Sequence, residues 1–409
     1  MQTLDEAVAQ LVAAARAHCV GGHERLPTAQ ALGRVLASEV RSSLNVPPAD
    51  NSAMDGYAVR CADVPAAGTV LEVCARIPAG VVGEPLRPGT AARIFTGAQV
   101  PAGADAVLPQ EMCEALPGDG LGRVRLHMAP SPGVSIRRRG EDVALGVTVL
   151  RPGSHLTPQA LGLAASVGAA QLDVRRRPRV AMFSTGDELA MPGEPLKPGA
   201  IYNSNRFTLG ALIQAAGCEL TDLGIVPDRL DDTRAALREA ARGHDLVITC
   251  GGVSVGEEDH LKPAMREEGR LDLWQIAIKP GKPLAFGAIR RAESGQTLFV
   301  GLPGNPVSAY VTFVVCVRPM LRALQGLEDT APQAYPVRAD FDWPRPDKRR
   351  EFLRVQRNAQ GGLSLFPNQG SGVLTSVVWA DGLVDNPGGQ AIARGDMVRF
   401  VPMTAWVGP

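Results

Sequence analysis

The chain has 409 residues, 45% of them hydrophobic and 21% charged, the composition of a soluble globular protein long enough for more than one domain. Lysine plus arginine and aspartate plus glutamate both number 42, so no global field draws the molecule to nucleic acid or to an anionic membrane. The 7 cysteines are scattered without zinc or redox-dithiol spacing, and the 45 glycines and 33 prolines run through the whole chain, which predicts many tight turns rather than one disordered tract.

The N-terminus carries no basic-then-apolar leader pattern. Thr3-Leu4-Asp5-Glu6 reads instead as a capping box opening an amphipathic helix with Leu4, Val8, Leu11, Val12 and Ala15 on one face. A second helix is predicted before residue 44, with Leu32, Val35 and Leu36 on one side. The texture then changes. Residues 70–77 and 123–128 alternate apolar and polar side chains between Pro- and Gly-rich connections, the pattern of a small β domain. Residues 156–167 return to a helical period and rejoin the N-terminal helices, so one domain is read as inserted into another.

From residue 177 onward strand, glycine turn and helix repeat. Strands are expected at 180–184, 219–226, 246–250 and 298–301, with helices at 205–216, 231–242, 259–268 and 307–324. That alternation predicts a parallel sheet flanked by helices, with ligands at the carboxyl ends of the strands. Past residue 327 the chain is again rich in Pro, Gly and short β-like runs. The apolar run at 310–317 is too short to cross a bilayer, and a cytoplasmic protein is expected.

The stretch Cys250-Gly251-Gly252-Val253-Ser254-Val255-Gly256-Glu257-Glu258-Asp259 follows a strand and precedes a helix. A glycine turn there lets backbone N–H groups approach a phosphate that the helix N-terminus favours. Taken alone it serves as a plain chain reversal as readily as a phosphate site. Gly252-x-Ser254-x-Gly256 also matches a nucleophile elbow, but the only later histidine is His260, on the same segment, so the triad that motif needs is missing. Ile278-Lys279-Pro280-Gly281-Lys282-Pro283 holds two lysines in a turn stiffened by proline; by itself it is a solvated basic turn. Gly301-Leu302-Pro303-Gly304-Asn305-Pro306-Val307-Ser308 places a hydroxyl at a helix start, where capping is the plain function. Together, the two turns bring Lys279, Lys282 and Ser308 to one rim, the outline of an anion pocket. Carboxylates recur at strand ends as Asp187, Glu188, Asp228 and Asp259, hard oxygen donors of the kind Mg²⁺ takes beside a phosphate. Outside this region, Asn51-Ser52-Ala53-Met54-Asp55-Gly56-Tyr57-Ala58 packs turn formers around one acid, and Arg137-Arg138-Arg139-Gly140-Glu141-Asp142 reverses sign across a glycine.

These motifs, with Phe95-Thr96-Gly97-Ala98, occur in an order that resembles the MoeA family, the molybdopterin molybdenumtransferases related to the gephyrin E domain. The resemblance spans essentially the whole chain. It implies an α/β plus β architecture in an elongated homodimer of multidomain subunits. The N-terminal domain would take residues 1–44 and 141–174, an inserted β domain 45–140, an α/β domain like the separate molybdopterin adenylyltransferases 175–326, and a C-terminal β-barrel 327–409. The implied reaction joins adenylylated molybdopterin and molybdate, with Mg²⁺, to give molybdenum cofactor and AMP. Other readings open at this point are a molybdopterin adenylyltransferase and a gephyrin-like scaffold.

By that resemblance, Lys279, Lys282, Arg350, Ser308 and Ser371 would hold the tetrahedral molybdate dianion by charge-assisted hydrogen bonds. Gly251, Gly252, Ser254 and Gly256 would approach the substrate phosphate, and Glu188, Asp228 and Asp259 would position Mg²⁺. Asp55 and Thr96 would reach the site from the partner subunit, with Asp142, Arg137 and Arg138 also functional. The pterin's dithiolene sulfurs bind the metal, so no cysteine cluster is needed. Expected partners are a molybdopterin adenylyltransferase upstream and molybdoenzyme maturation proteins downstream. The chain has Gln275 after Trp274, where related sequences often carry a basic residue, and Gln275 is given no role.

Overall fold

The computed structural model describes residues 1–252, 260–292 and 295–407. Its centre is a six-stranded sheet in the order Glu219–Val226, Arg179–Thr185, Leu246–Cys250, Gln296–Leu302, Pro283–Arg290, Gly269–Gln275. The first four strands run parallel, Pro283–Arg290 runs against them, and Gly269–Gln275 is antiparallel to Pro283–Arg290 in turn. Every residue of Leu246–Cys250 is buried, because helices cover both faces of the sheet. On one face Val180, Met182, Ile248 and Val300 pack with Leu209 and Ile213 of the helix Ser204–Ala215. On the other, Phe183, Val247 and Phe299 meet Leu237 and Met265 of the helices Leu230–Ala241 and Leu261–Glu268. The antiparallel turn of direction has a consequence for function. The chain entering at Pro283 arrives at the same edge as the parallel strands leave from, so the lysine turn joins their carboxyl ends.

Residues 306–324 form one helix of 19 residues, and its most apolar 18-residue window has mean hydropathy 1.4 and is 94% buried inside the protein. By length and composition it would cross a membrane, but here it is the central core helix, packed beneath the sheet. Pro319 lacks the N–H that would bond to the carbonyl of Val315, and the turn at Phe313–Val317 is widened to i→i+5 spacing in compensation.

The helix Leu4–Ala17 has the expected capping box: Glu6 N donates to Thr3 Oγ1 at 3.3 Å and Thr3 N donates to Glu6 Oε2 at 2.9 Å. Its apolar face joins the core of the α/β unit, not the N-terminal lobe to which residues 1–44 were assigned. The second expected helix is absent. Residues 23–44 instead contain the strand His23–Pro27, one turn at Thr28–Gln30 and the short strand Val40–Arg41. Gly33, at φ +72°, breaks the helical period, and Leu32 is turned to solvent while Val35 and Leu36 are buried. The lobe closes by pairing His23–Pro27 with Gln171–Arg175 and Val40–Arg41 with Thr148–Leu150, over a core that includes Leu36, Leu156 and Val174. Its helix, Pro158–Ser166, lies where the sequence places it.

Between these halves sits the inserted domain, a six-stranded sheet containing Gly56–Val59, Val70–Ile77, Thr90–Ile94 and Arg123–Leu126. The C-terminal unit is a second curled sheet in the order Ile278–Lys279, Arg350–Arg357, Gly382–Asn386, Met397–Pro402, Tyr335–Arg338, with Leu363–Leu365 paired to Arg350–Arg357. A single bridge between Ala339 and Leu363 draws its ends together in barrel fashion. The two-residue strand Ile278–Lys279 comes from the α/β unit and is lent to this sheet.

Candidate functional site

A cleft of about 740 Å³ opens where the parallel strands end. Thr185 leads into Gly186 and Glu188, Val226 into Asp228, Cys250 into Gly251 and Gly252, and Leu302 into Pro303-Gly304-Asn305 and Ser308; all the post-strand residues named here line it. Gly251 adopts φ +95°, and a Cβ there would lie 2.6 Å from the Thr185 carbonyl oxygen, so only glycine lets these two strand ends approach. Ser308 is buried in the first turn of the helix Pro306–Thr312, beside Ser371 of the C-terminal unit, whose carbonyl accepts from Val307 N at 2.9 Å.

One wall is cationic. Lys279 Nζ stands 3.3 Å from Glu351 Oε1 and 3.6 Å from Asp347 Oδ2. Arg349 forks onto Asp347, with Nε to Oδ1 and Nη2 to Oδ2 both at 2.9 Å, and this holds the Asp347 carboxyl far below the usual carboxylate range. Glu351 is 1% exposed, and its Oε2 accepts from Trp343 Nε1 at 2.7 Å. Lys282 also lines the cleft and makes no ion pair among the described residues. Toward the other end of the strand order the lining is acidic: Glu188 and Asp228 come from neighbouring strand ends, and Asp228 N donates to Asp187 Oδ1 at 3.3 Å.

Of the residues singled out from sequence, the cleft thus gathers Glu188, Asp228, Gly251, Gly252, Lys279, Lys282, Ser308 and Ser371. Ser254, Gly256 and Asp259 lie outside the described residues. Arg350 is not in the cleft. It forks onto buried Asp385 at 2.5 and 2.6 Å, reaches Asp5 at 2.9 Å, and lines a separate hollow; its neighbour Arg349 occupies the cleft instead. Gln275, on its strand, is likewise absent from the lining.

Asp55, Thr96, Arg137, Arg138 and Asp142 do not line the cleft of their own chain. Asp55 Oδ1 accepts from Thr96 N at 2.8 Å and from Thr96 Oγ1 at 2.7 Å, and the backbone bond followed by the hydroxyl lowers its carboxyl below the ordinary value. The Arg137–Asp142 sign reversal is not a self-contained clamp. Arg138 Nη1 pairs with Asp50 Oδ2 at 2.7 Å, and Glu141 accepts only the Arg138 backbone N–H. The Asp142 side chain is exposed, as is Arg137.

Two lining residues that sequence reasoning passed over are Asn203 and Asn205. Asn203 Oδ1 caps the helix Ser204–Ala215 through Arg206 N at 3.1 Å, which leaves its Nδ2 buried and unbonded. Asn205 Nδ2 donates to the Gly304 carbonyl at 2.7 Å, which leaves its Oδ1 unbonded. Tyr-Asn-Ser-Asn reads only as a helix start; the spare donor and acceptor become visible when the fold turns both amides inward.

Family models match almost the entire chain: "MoeA N-terminal region (domain I and II)" over residues 2–168, "Probable molybdopterin binding domain" over 181–323 and "MoeA C-terminal region (domain IV)" over 336–403. A Haemophilus influenzae relative named molybdopterin molybdenumtransferase is 46% identical over 361 residues, 87% of each chain. A Mycobacterium tuberculosis relative named molybdopterin molybdenumtransferase 2 is 40% identical, over 88% of this chain and 90% of its own. The crystal structure of the molybdopterin biosynthesis moeA protein from Pyrococcus horikoshii OT3 superposes with a TM-score of 0.83 at 28% identity, covering 98% of this chain and 100% of that one.

Proposed function

Because the chain belongs to the MoeA family, we infer that it is a molybdopterin molybdenumtransferase, which takes adenylylated molybdopterin and molybdate to molybdenum cofactor and AMP. The observation that carries this is one cleft lined by Lys279, Lys282 and Arg349 toward one end of the strand order and by Glu188 and Asp228 toward the other. A tetrahedral dianion suits the first, where charge-assisted hydrogen bonds and the Ser308 and Ser371 hydroxyls are within one lining. The glycine corner at Gly251 and Gly252 admits a phosphate closely, and Asn203 Nδ2 with Asn205 Oδ1 offers a donor and an acceptor to the polar edge of a pterin.

Mg²⁺ fits the acidic wall. Glu188 and Asp228 supply two hard carboxylates on adjacent strand ends, and this ion takes one or two such ligands and fills its remaining positions with phosphate oxygen and water. When bound it neutralises charge on the leaving phosphate. Asp259, outside the described residues, is proposed as a further ligand. Lys279, Lys282 and Arg349 then serve to offset the molybdate charge, so that the anion can rest beside the dithiolene sulfurs. Asp347 and Glu351 keep Lys279 and Arg349 in position while the cleft is free of anion.

The protein is further proposed to act as a cytoplasmic homodimer. Asp55, Thr96, Arg137, Arg138 and Asp142 then complete the partner's cleft, and the adenylylated pterin arrives from a molybdopterin adenylyltransferase. Purified protein should release AMP from adenylylated molybdopterin only with both molybdate and Mg²⁺. It should form no adenylylated product from molybdopterin and ATP. AMP release indifferent to molybdate would defeat the insertase reading.

A further inference from the structure

Away from the cleft, two small voids adjoin between the helix Arg318–Leu324 and the N-terminal lobe. They share Gly33, Gly217 and Gln325 in their walls and have no lining residue in common with the cleft. Arg318 and Arg322 line one void together with His155. Arg318 is 7% exposed, its Nη1 has no hydrogen-bond partner, and no described carboxylate forms an ion pair with either guanidinium. Arg322 Nε donates only to the Asp329 backbone carbonyl, at 3.0 Å.

Two other arginines of this seam are compensated, whereas Arg175 makes no ion pair among the described residues: its Nη1 donates to Cys19 Sγ at 3.1 Å and its Nε is buried without a partner. Arg34 pairs with Glu24 at 2.8 Å, and Arg176 forks onto Asp245 at 2.8 Å through both oxygens. At Arg318 and Arg322 the Asp329 carboxylate offsets part of the charge from beyond ion-pair distance. Burial pushes the Arg318 guanidinium down to about 10, with the neighbouring Arg322 adding to the effect, and burial also lowers Arg322. Burial, and then the neighbouring Arg322, hold the His155 imidazole below its ordinary value. A buried guanidinium without an ion-pair partner is costly, and proteins seldom leave one.

The void offers about 20 Å³ to the centre of a water-sized particle, enough to hold one water or one halide ion. Water would accept the Nη1 proton but cancel no charge; a halide does both. We propose that the Arg318–Arg322 void is a binding site for a chloride-class monovalent anion that fastens the N-terminal lobe to the catalytic unit.

The full chain tests this in two ways. A crystal soaked in bromide should show an anomalous peak in the void between Arg318 and Arg322. Replacing sodium gluconate with sodium chloride at constant ionic strength should raise Tm along a saturating curve. Arg318→Met keeps the apolar stem and should lose that chloride-dependent rise. No bromide peak, or identical Tm in both salts, means a water occupies the void and overturns the proposal. A variant with the same chloride curve as the parent overturns it too. Should Arg318→Met fail to fold, Arg322→Gln replaces it, and the bromide soak decides on the parent protein alone.

Discussion

Arg349 and Arg350 are consecutive, yet one faces the cleft and the other is locked to Asp385 on the far side of the strand start. Alternation along an extended chain makes their roles separable. Arg349→Ala should raise the molybdate concentration for half-maximal AMP release by about tenfold to a hundredfold, the loss of one charged hydrogen-bonding group. Arg350→Ala should leave that concentration unchanged and destabilise the fold by about 3 kcal/mol, because Asp385, 5% exposed, keeps only Arg399. Denaturant titration beside AMP-release kinetics reads both, and the reverse pattern would return Arg350 to the cleft. The doublet Arg349-Arg350 shows where sequence stops being informative. It announces that a cation serves the site, but strand parity, which decides which one, is set by pairing with Ile278–Lys279 and Gly382–Asn386.

At the scale of elements, the lysine turn depends on Gly281, whose φ of +114° and contact with Thr312 Oγ1 leave no room for a Cβ. Gly281→Ala should cost about 1–3 kcal/mol or displace the turn. Half-saturation by molybdate should then rise, while the rate at saturating molybdate changes less. A second element test concerns the clamp between the helices Leu230–Ala241 and Leu261–Glu268. Glu268 accepts from Arg238 and Arg234, which hold its carboxyl at about 2 against an ordinary 4.5. A depressed acid adds stability that is fully present above its unfolded value and fades as pH falls through the folded one. The parent should therefore lose stability between about pH 4.5 and 2 more steeply than Glu268→Gln, as followed by thermal melts across that window. The four parallel strands and the helices of the α/β unit were legible because they are long and strongly patterned, but the antiparallel strands Gly269–Gln275 and Pro283–Arg290 were not expected from the sequence. The helix expected around Leu32 is absent, since Gly33 overrides a short apolar period that fits a turn equally well.

For the whole molecule, the separate six-stranded sheet within residues 56–126 was readable from the change of texture near residue 45 and its return near 156. The destination of the first helix was not, because its apolar stripe says only that something covers it; the structure supplies the helix Arg318–Leu324. If the proposed dimer exchanges Asp55 and Thr96 between subunits, inactive Asp55→Asn and inactive Lys279→Ala chains should complement each other. Random mixing makes half the dimers mixed, each with one intact cleft, so roughly a quarter of parental AMP release should return. A mixture that stays inactive would mean that each subunit builds its own site.

The loan of Ile278–Lys279 to the C-terminal sheet makes Lys279 a tenant of two domains. Its reach into the cleft is governed by a ladder whose other rungs lie beyond residue 350, so the excised α/β unit would keep its glycine corner but lose the scaffolding that aims its first lysine. Any hinge motion of the C-terminal unit must drag this cation along, coupling grip on the oxyanion to domain posture without a relay of intervening side chains.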